Sequence, residues 1–235
     1  MDQPRVHALI PAAGQSVRFG GTTVKQYTHL LGQPVISHSI EAVQRHPSVT
    51  QVTVALAPDD GIYNELVRPV FPEVTTVTGG ETRSQTVMNG LRFIIEADPD
   101  CEWVLVHDAA RPCLSAASLT DLMDLGLTSM AGAILATPVT DTLKVADDSG
   151  YINSTVDRSC YWSAQTPQLF RIHQLAANLE SSLFRGEHPT DEAAAMEAAG
   201  VHPLLVAGAA SNIKITGPDD MALAEFILQR QAVAE

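Results

Sequence analysis

The first glycine-rich stretch of the chain, HALIPAAGQSVRFGGTTVKQY at residues 7–27, contains two cations. Arg18 and Lys25 stand there in a protein whose formal net charge is −13. A protein with such a negative field holds an anion only where a few cations are placed for it. Small residues such as Gly14 also let backbone amides approach a ligand closely. The stretch therefore predicts an anion-binding loop, although solvated surface charges beside an ordinary turn would give the same residues.

Three more polar or glycine-rich segments follow apolar runs and could supply groups to the same site. They are GGETR at residues 79–83, HDAARP at residues 107–112 and TPVTDT at residues 137–142. Lys214 adds a cation in a late apolar run. In parallel α/β sheets, ligands bind on the loops at the carboxyl ends of the strands. Any one segment could be a tight turn, but several at one sheet edge indicate a binding site.

Several signatures of other chemistries do not occur in the sequence. The first glycines do not form GxGxxG, and GxxxxGK[ST], GxSxG and HExxH are not found. His107 beside Asp108 could form a catalytic dyad. Neighbours on a strand point to opposite faces, however, so we expect these two side chains to diverge. The sequence thus gives little support to dinucleotide binding, hydrolase or metalloprotease chemistry.

Composition restricts the class of protein further. The chain has 235 residues, of which 45% are apolar, enough for one sizeable core. Its apolar runs are shorter than the roughly 18 residues of a membrane span, and MDQPRV has no secretory signal pattern. The 3 cysteines lack CxxC spacing, which argues against disulfide and zinc scaffolds. The net negative charge argues against a nucleic-acid surface. We expect a soluble cytoplasmic protein with no nucleic acid and no membrane among its partners.

Apolar, β-branched runs alternate with segments that have apolar residues at helical spacing. The predicted strands are Val6–Ile10, Val49–Ala57, Val74–Thr78, Trp103–Val106, Ala133–Ala136, Leu204–Val206 and Asn212–Thr216. The predicted helices are Val35–His46, Thr82–Ala97, Ser115–Leu127 with Ser115 as its cap, Ile172–Leu183, Asp191–Ala199 and a last helix that begins at Pro218. Such alternation implies right-handed crossovers and a mostly parallel sheet. We predict a single three-layer α/β/α domain over residues 1–235, with a Rossmann-like twisted sheet.

The alternation fails between Thr140 and Trp162. Two short extended runs there flank Asp147–Gly150, whose sequence DDSG is a strong turn signal. Neither run is long or apolar enough to be a core strand. We therefore predict a β-hairpin that projects from the sheet, called the β-arm below (residues 140–162). A lone hairpin is marginally stable, so we expect this β-arm to pack on a second copy of the chain in a homodimer.

Motifs along most of the chain resemble those of one family. PAAGxxxRF…KQY, GGxxR, VHDAARP, PVTDTLK, TVDRxxYWxAQTPQLF, TDEAAA and NIKIT occur in the order found in 2-C-methyl-D-erythritol 4-phosphate cytidylyltransferases, from about residue 6 to 230. The resemblance implies a nucleotidyltransferase fold. It also implies the transfer of a cytidylyl group from CTP to a sugar-alcohol phosphate, with release of pyrophosphate. Ser16 and Val24 depart from the family pattern, which has glycine and proline there, and this affects the expected conformation of the loop.

The resemblance also implies roles for individual residues. Arg18 and Lys25 would stabilise the transition state, and Arg158 and Lys214 would position the methylerythritol phosphate. Asp108 would hold Mg²⁺ or another divalent cation. The CTP-binding residues would be Ala12, Ala13, Gly14, Gly80, Thr86, Asp108 and Ala109. The residues that assist substrate binding would be Arg111, Asp141, Thr142 and Thr166. The β-arm would bring Thr142 and Arg158 to the neighbouring subunit's site.

Two other functions and several simpler structural roles remain open at this point. The scaffold could serve a different alcohol phosphate such as ribitol 5-phosphate, or a catalytically silent nucleotide-binding regulator. Asp108 could cap a turn and pair with Arg111, and Lys214 could face water from an edge strand. Arg83 could bind Glu81 or a neighbouring helix instead of a ligand.

Overall fold

The structure is a computed structural model that describes residues 4–14 and 24–234. Its strands are β1 Val6–Pro11, β2 His29–Leu30, β3 Gln33–Pro34, β4 Val49–Leu56, β5 Thr75–Thr78, β6 Trp103–Val106, β7 Ala133–Pro138, β8 Leu143–Ala146, β9 Ile152–Val156, β10 Trp162–Arg171 and β11 Leu204–Ala207. Its α-helices are α1 Val35–Gln44, α2 Ile62–Leu66, α3 Arg83–Ala97, α4 Ala116–Gly126, α5 Ile172–Phe184, α6 Glu192–Ala198 and α7 Asp219–Ala234. Across the described part of the chain, none of the helices has both the length and the hydropathy of a membrane span.

The described residues form a seven-stranded sheet in the order β11-β7-β10-β6-β1-β4-β5. β1 pairs in parallel with β4 and β6, β4 with β5, and β7 with β11. β10 runs antiparallel to both of its neighbours, β6 and β7. The mostly parallel sheet is confirmed. Because the parallel strands share one direction, the loops after β1, β5 and β6 come together at one edge.

Helices cover both faces of the sheet. On one face, α1, α2 and α4 pack on alternate strand residues such as Ala8, Ile10 and Leu105. On the other face, α3, α5 and α6 pack on residues such as Leu9 and Val104. Successive residues of a strand point to opposite faces, so one apolar run supplies both cores. The three-layer α/β/α prediction is confirmed.

Helix starts follow from their capping residues. Ser115 accepts a hydrogen bond from the Ser118 amide at 3.2 Å, as predicted for the start of α4. Thr82 and Gln85 form a reciprocal capping box at the start of α3. Asp191 accepts from the Ala194 amide at the start of α6. Side-chain acceptors satisfy amides that a helix leaves unpaired at its first turn, which fixes where these helices begin.

The strand predicted at Asn212–Thr216 is wrong. This segment is irregular, because side chains and a loop bind its backbone groups where a strand would have a ladder. The Ile215 amide donates to Ala110 O at 2.8 Å, and the Thr216 amide donates to the Asp220 carboxylate at 2.7 Å. The alternation of Ile213 and Ile215 therefore reflects the docking of a loop.

β10, in contrast, is a strand that the sequence pattern does not predict. Its sequence WSAQTPQLFR begins with exposed residues and has Pro167 in its middle, where proline is unusual in a central strand. Its register shifts between Ala164 and Gln168. The irregular middle places Thr166 beside the loop after β6, as described below.

The predicted hairpin is present. β8 and β9 form a separate two-stranded antiparallel sheet, and Asp147 closes its turn by accepting from the amides of Ser149 and Tyr151, both at 2.9 Å. Tyr151 and Ile152 near its tip are 74% and 67% exposed. The tip of the hairpin therefore presents two adjacent apolar side chains to solvent.

Candidate active site

The loops after β1 and β5 touch at the carboxyl edge of the sheet. The Ala12 amide donates to Ala55 O at 2.7 Å, and Ala12 O accepts from the Gln26 side chain at 2.8 Å. A Cβ on Gly79 would lie 2.6 Å from the Cβ of Ala13, so this contact requires glycine. The close approach holds the backbone at residues 12–14 against the second loop. Gly14 is exposed at the end of this segment.

The second loop is braced by Thr86 from within α3. The Thr86 hydroxyl accepts from the Gly80 amide at 3.0 Å and lies 2.9 Å from its acceptor Thr82 O. A Cβ on Gly80 would lie 2.5 Å from the Cβ of Gln85. Both predicted CTP-binding residues of this loop, Gly80 and Thr86, therefore lie together. The structure gives the Thr86 hydroxyl a bracing role, and its role in CTP binding stays a prediction.

Asp108 is the centre of a cluster of charges in the loop after β6. Its side chain is 10% exposed, and Lys214 Nζ lies 2.8 Å from Oδ2. Arg83 Nη2 donates to Oδ1 at 3.1 Å, and Arg111 Nε lies 3.8 Å from Oδ2. Burial by itself would raise the pKa of Asp108, but Arg83 and Lys214 hold it well below its usual range. Asp108 is therefore an anion surrounded by cations near neutral pH.

The other side of Arg83 binds Glu192, the first residue of α6. Arg83 Nη1 donates to Oε1 at 2.7 Å, and Nη2 donates to Oε2 at 3.1 Å. Burial by itself would lower the pKa of Arg83, but the carboxylates of Glu192 and Asp108 raise it. Of the alternatives for Arg83, the neighbouring helix is confirmed. The sequence pattern predicts no role for Glu192, although this residue lies in TDEAAA, one of the motifs of the resemblance.

His107 and Asp108 do not form a dyad, as expected for neighbours at a strand end. His107 is fully buried, which lowers its pKa to about 4, so the imidazole is neutral. Its Nε2 lies 3.0 Å from Arg111 O and must donate to that carbonyl. Nδ1 is then the acceptor for the Thr166 hydroxyl at 3.1 Å, and Thr166 Oγ1 accepts from the Asp108 amide at 3.0 Å. His107 and Thr166 thus fix the backbone of the Asp108 loop.

Asn212 ties the Lys214 segment to the same loop. Its carbonyl accepts from Arg111 Nη1 at 2.7 Å, and its side-chain amide donates to Thr166 O at 2.9 Å. Lys214 therefore does not occupy an edge strand, because a docked loop carries it to Asp108. Its side chain is 41% exposed, so it contacts both Asp108 and solvent. Asn212 is a second contributor that the sequence analysis did not assign. A single sequence does not show contacts between residues so far apart in the chain.

Lys25 lies in a short 3-10 turn at Lys25–Tyr27 and extends the cluster. Burial and the charge of Lys214 lower its pKa, and Asp108 and Asp220 oppose this shift. Lys25 is thus close enough to Lys214 and Asp108 to sense their charges. Arg18 and Ser16 lie outside the described residues, so their predicted roles stay predictions. Val24 has extended backbone just before the turn.

The three predicted β-arm residues form a separate, exposed group. Asp141, Thr142 and Arg158 are all exposed to solvent. The Arg158 guanidinium donates to Thr140 O within the β-arm. Ala109, the remaining predicted residue, is buried, and its carbonyl accepts from the Ser39 hydroxyl at 3.0 Å. The structure thus brings Asp108, Arg111, Thr166 and Lys214 into contact, and Lys25 lies within range of their charges. In the described part of the chain, the three β-arm residues make no hydrogen bond or ion pair with this cluster.

A single carboxylate such as Asp108 is enough for a magnesium ion whose other ligands are phosphates and water. Within residues 4–14 and 24–234, no three His, Cys, Asp or Glu residues are grouped to hold a metal. Mg²⁺ is commonly bound by one or two carboxylates, with substrate phosphates and water completing its shell. Both oxygens of Asp108 face cations, so a metal ion at this acid would need phosphate oxygens to offset the positive charge and to complete its shell. The donor set therefore agrees with a magnesium–nucleotide complex better than with a metal bound to the protein alone.

Cations gathered around one acid at the carboxyl edge of a mostly parallel sheet, in a chain of net charge −13, fit a site for anionic substrates. The family match and the relatives described next make the protein an enzyme of the nucleotidyltransferase class. The sequence profile of 2-C-methyl-D-erythritol 4-phosphate cytidylyltransferases matches residues 6–230. The chain belongs to this family.

Relatives and solved structures agree with this assignment over nearly the whole chain. A 2-C-methyl-D-erythritol 4-phosphate cytidylyltransferase of Shewanella oneidensis is 47% identical over 225 residues, covering 96% of this chain and 89% of the relative. The protein of the same name from Vibrio vulnificus is 43% identical, covering 95% and 94%. A crystal structure of 4-diphosphocytidyl-2C-methyl-D-erythritol synthase superposes with a TM-score of 0.84 at 39% identity, covering 96% of this chain and 99% of that one.

Proposed function

We propose that the protein joins CTP and 2-C-methyl-D-erythritol 4-phosphate to give 4-diphosphocytidyl-2-C-methyl-D-erythritol and pyrophosphate, a step of non-mevalonate isoprenoid biosynthesis. Family membership over residues 6–230 supports the substrates. The observation that carries the chemistry is the convergence of Arg83, Arg111 and Lys214 on Asp108, with Lys25 close by. These cations create a local positive field in an acidic protein, where two anionic substrates can meet.

The reaction needs charge neutralisation more than a side-chain nucleophile. A phosphate oxygen of the sugar alcohol attacks the α-phosphorus of CTP, and the bond to pyrophosphate breaks. In the proposed mechanism, Lys25 and Arg18 stabilise the negative charge that develops on the triphosphate. Lys214 and Arg158 orient the attacking phosphate, with Arg111, Asp141, Thr142 and Thr166 around it. Backbone groups of Ala12, Ala13 and Gly80, with Gly14, Thr86 and Ala109 beside them, form the nucleotide pocket.

A divalent cation is part of this proposal. Asp108 would hold Mg²⁺ together with the phosphates, and the metal would neutralise charge on the triphosphate. Lys214 and Arg83 each contact one oxygen of Asp108, so they fix the carboxylate in one orientation. The protein's own contribution is then to present one oriented acid to a metal whose remaining ligands come from CTP and water.

The substrate assignment is tested by pyrophosphate release from CTP with different acceptors. We expect release with 2-C-methyl-D-erythritol 4-phosphate and kcat/KM at least about tenfold lower with ribitol 5-phosphate, because a polar pocket rejects a substrate whose hydroxyls it does not match. A preference for ribitol 5-phosphate would assign the scaffold to the other alcohol phosphate. A purified protein that binds CTP and releases no pyrophosphate with either acceptor would be a regulator.

We further propose a homodimer in which the β-arm reaches the active site of the other subunit. The β-arm carries Asp141, Thr142 and Arg158, which are exposed and, among the described residues, make no hydrogen bond or ion pair with the Asp108 cluster. Its tip exposes Tyr151 and Ile152, which a second copy would cover. A two-fold pair would let each β-arm contact the other subunit.

We also propose a cytoplasmic setting, which agrees with three cysteines that form no disulfide, Cys101, Cys113 and Cys160.

Mixing two inactive variants tests the shared site. Arg158→Ala and Lys25→Ala homodimers should each be nearly inactive. Co-refolded or co-expressed together, they should recover about a quarter of the wild-type activity, because roughly half of the dimers are mixed and one site of each has both residues intact. The measurement is pyrophosphate release from the unfractionated mixture. Mixed dimers purified from it with two different affinity tags should have about half of the wild-type activity, because one of their two sites is intact.

The control mixes each variant with itself under the same conditions and should recover nothing. Sedimentation at the assay concentration gives the oligomeric state independently. A monomer, or verified mixed dimers without recovered activity, would contradict the shared site.

A further inference from the structure

Glu192 is a buried acid that the proposed mechanism does not use. It is 2% exposed and lies at the start of α6, where it pairs with Arg83. Burial raises the pKa of its carboxyl, and the Arg83 guanidinium opposes this shift. Both carboxyl oxygens accept hydrogen bonds from Arg83, which is the bidentate arrangement of an ionised acid with a guanidinium. The specific partner of this buried acid is Arg83, which also donates hydrogen bonds to Asp108.

Arg83 binds the two acids with different parts of its planar guanidinium. Nη1 and Nη2 face Glu192, while Nε and Nη2 lie 3.3 and 3.1 Å from Oδ1 of Asp108. Because the guanidinium is rigid, fixing it against Glu192 also fixes the position of Nε and Nη2. Lysine could not replace it, since a single ammonium does not present this fork.

The place of Glu192 is itself fixed by β10. Gln168 in the centre of that strand is fully buried, and its amide donates to Asp191 at 2.9 Å. Its carbonyl oxygen accepts from the Ala193 amide at 2.9 Å. These bonds hold the residues on both sides of Glu192. The first turn of α6 is thus attached to the same strand that carries Thr166.

The two oxygens of Asp108 have different partners. Oδ1 faces Arg83, and Oδ2 faces Lys214 at 2.8 Å. Removing the charge of Glu192 would leave Asp108 as the one acid in contact with Arg83, and the guanidinium would be drawn toward it. The carboxylate would then rotate or shift, and its contact with Lys214 would change.

We propose that Glu192 is a positioning residue for cytidylyl transfer: its bidentate bond to Arg83 holds that guanidinium against Oδ1 of Asp108 and leaves Oδ2 to Lys214. The proposal rests on the cytidylyltransferase function proposed above. Turnover of the wild-type protein tests that function by itself, so the two can fail separately. The competing explanation is that the Arg83–Glu192 pair only stabilises the fold.

The test replaces Glu192 by its neutral isostere in Glu192→Gln and measures steady-state kinetics below the melting temperature. We expect kcat per folded site to fall by about 10- to 100-fold, as for other groups that orient a reacting or metal-binding residue. The KM for CTP should change by less than about twofold, because the loss is in orientation rather than in substrate binding. A stabilising role alone would lower the melting temperature and leave kcat unchanged.

A double-mutant cycle shows whether Glu192 acts through Arg83. In the Arg83→Gln background, adding Glu192→Gln should lower kcat by less than about twofold, because the residue through which it acts is already gone. The double variant also leaves no unpaired buried charge, so it keeps the test available if Glu192→Gln alone does not fold. Full additivity of the two substitutions in kcat, or a folded double variant with wild-type kcat, would overturn the proposal.

Two control variants distinguish a positioning role of Glu192 from a role in stabilising the fold. Glu180→Gln makes the same substitution in the exposed pair that Glu180 forms with Arg92 at 2.8 Å, and it should leave kcat unchanged. Met196→Ala removes a fully buried side chain from the same helix α6 and should lower the melting temperature without lowering kcat per folded site. If Met196→Ala lowers kcat as much as Glu192→Gln, the effect of Glu192 is one of stability.

Discussion

Lys25→Ala lowers kcat by about 10²- to 10³-fold and leaves the protein folded: this is the result we expect, since the loss of one preorganised donor typically costs that much. Lys25 is partly buried, and burial and the nearby charge of Lys214 lower its pKa. An ammonium placed among other cations is destabilised until an anion arrives. Its interaction with the triphosphate should therefore strengthen most where negative charge develops in the transition state.

The measurement is steady-state pyrophosphate release with CTP varied at saturating acceptor. Circular dichroism and thermal melting establish that the variant is folded. Arg92→Ala removes a cation from the exposed surface of α3 and should keep kcat within about twofold of wild type, as surface substitutions usually do. A Lys25→Ala protein with near-normal kcat and only a raised KM for CTP would show that Lys25 contributes uniform binding instead.

Asp108→Asn is expected to be more damaging, because it affects both activity and stability. The amide keeps the size of the side chain but leaves the charges of Arg83, Arg111 and Lys214 without their shared partner. Removing one member of a fully buried ion pair costs about 3–5 kcal/mol of unfolding free energy. We expect a smaller loss here, because Lys214 is 41% exposed and Arg83 keeps Glu192. We expect turnover to be abolished or to lose most of its dependence on Mg²⁺. Urea denaturation and a Mg²⁺ titration of pyrophosphate release measure the two effects.

The control for Asp108→Asn is the same substitution at an acid on the surface. Asp121→Asn changes an exposed residue of α4 and should alter neither the unfolding free energy nor the Mg²⁺ response. Treating the wild-type protein with a chelator should stop turnover, and adding Mg²⁺ should restore it. Full turnover of the wild-type protein in the chelator would exclude a divalent cation from the reaction.

The sequence was most informative where one apolar run or one cap decides the local structure. Trp103–Val106 was predicted with its observed ends, and the caps at Ser115 and Asp191 start helices where the pattern placed them. The pattern missed β10, because a central strand that contains Pro167 and starts exposed has no regular alternation. It misread Asn212–Thr216, because alternation cannot distinguish a docked loop from a strand.

In the active site, too, some residues could be predicted from the sequence and others could not. The family resemblance identified Asp108, Lys25 and Lys214, which the structure brings together. It did not identify Glu192 or Asn212, whose contacts with Arg83 and Arg111 join residues 109 and 101 positions apart. Such contacts depend on how α6 and the loop before α7 dock on the sheet. Periodicity and spacing in one sequence do not report that docking.

The strand order also has a consequence for how the protein is made. β7 lies between β10 and β11, and both of these follow it in the chain. As the chain leaves the ribosome, β1, β4, β5 and β6 can pair with one another, while β6 exposes one edge and β7 has neither neighbour until residue 171 has emerged. Unpaired strand edges promote association with other chains. Asp108 therefore emerges with the early strands, whereas its partners Thr166 and Lys214 are synthesised in the second half of translation. Glu192, which binds Arg83, is also synthesised in that half.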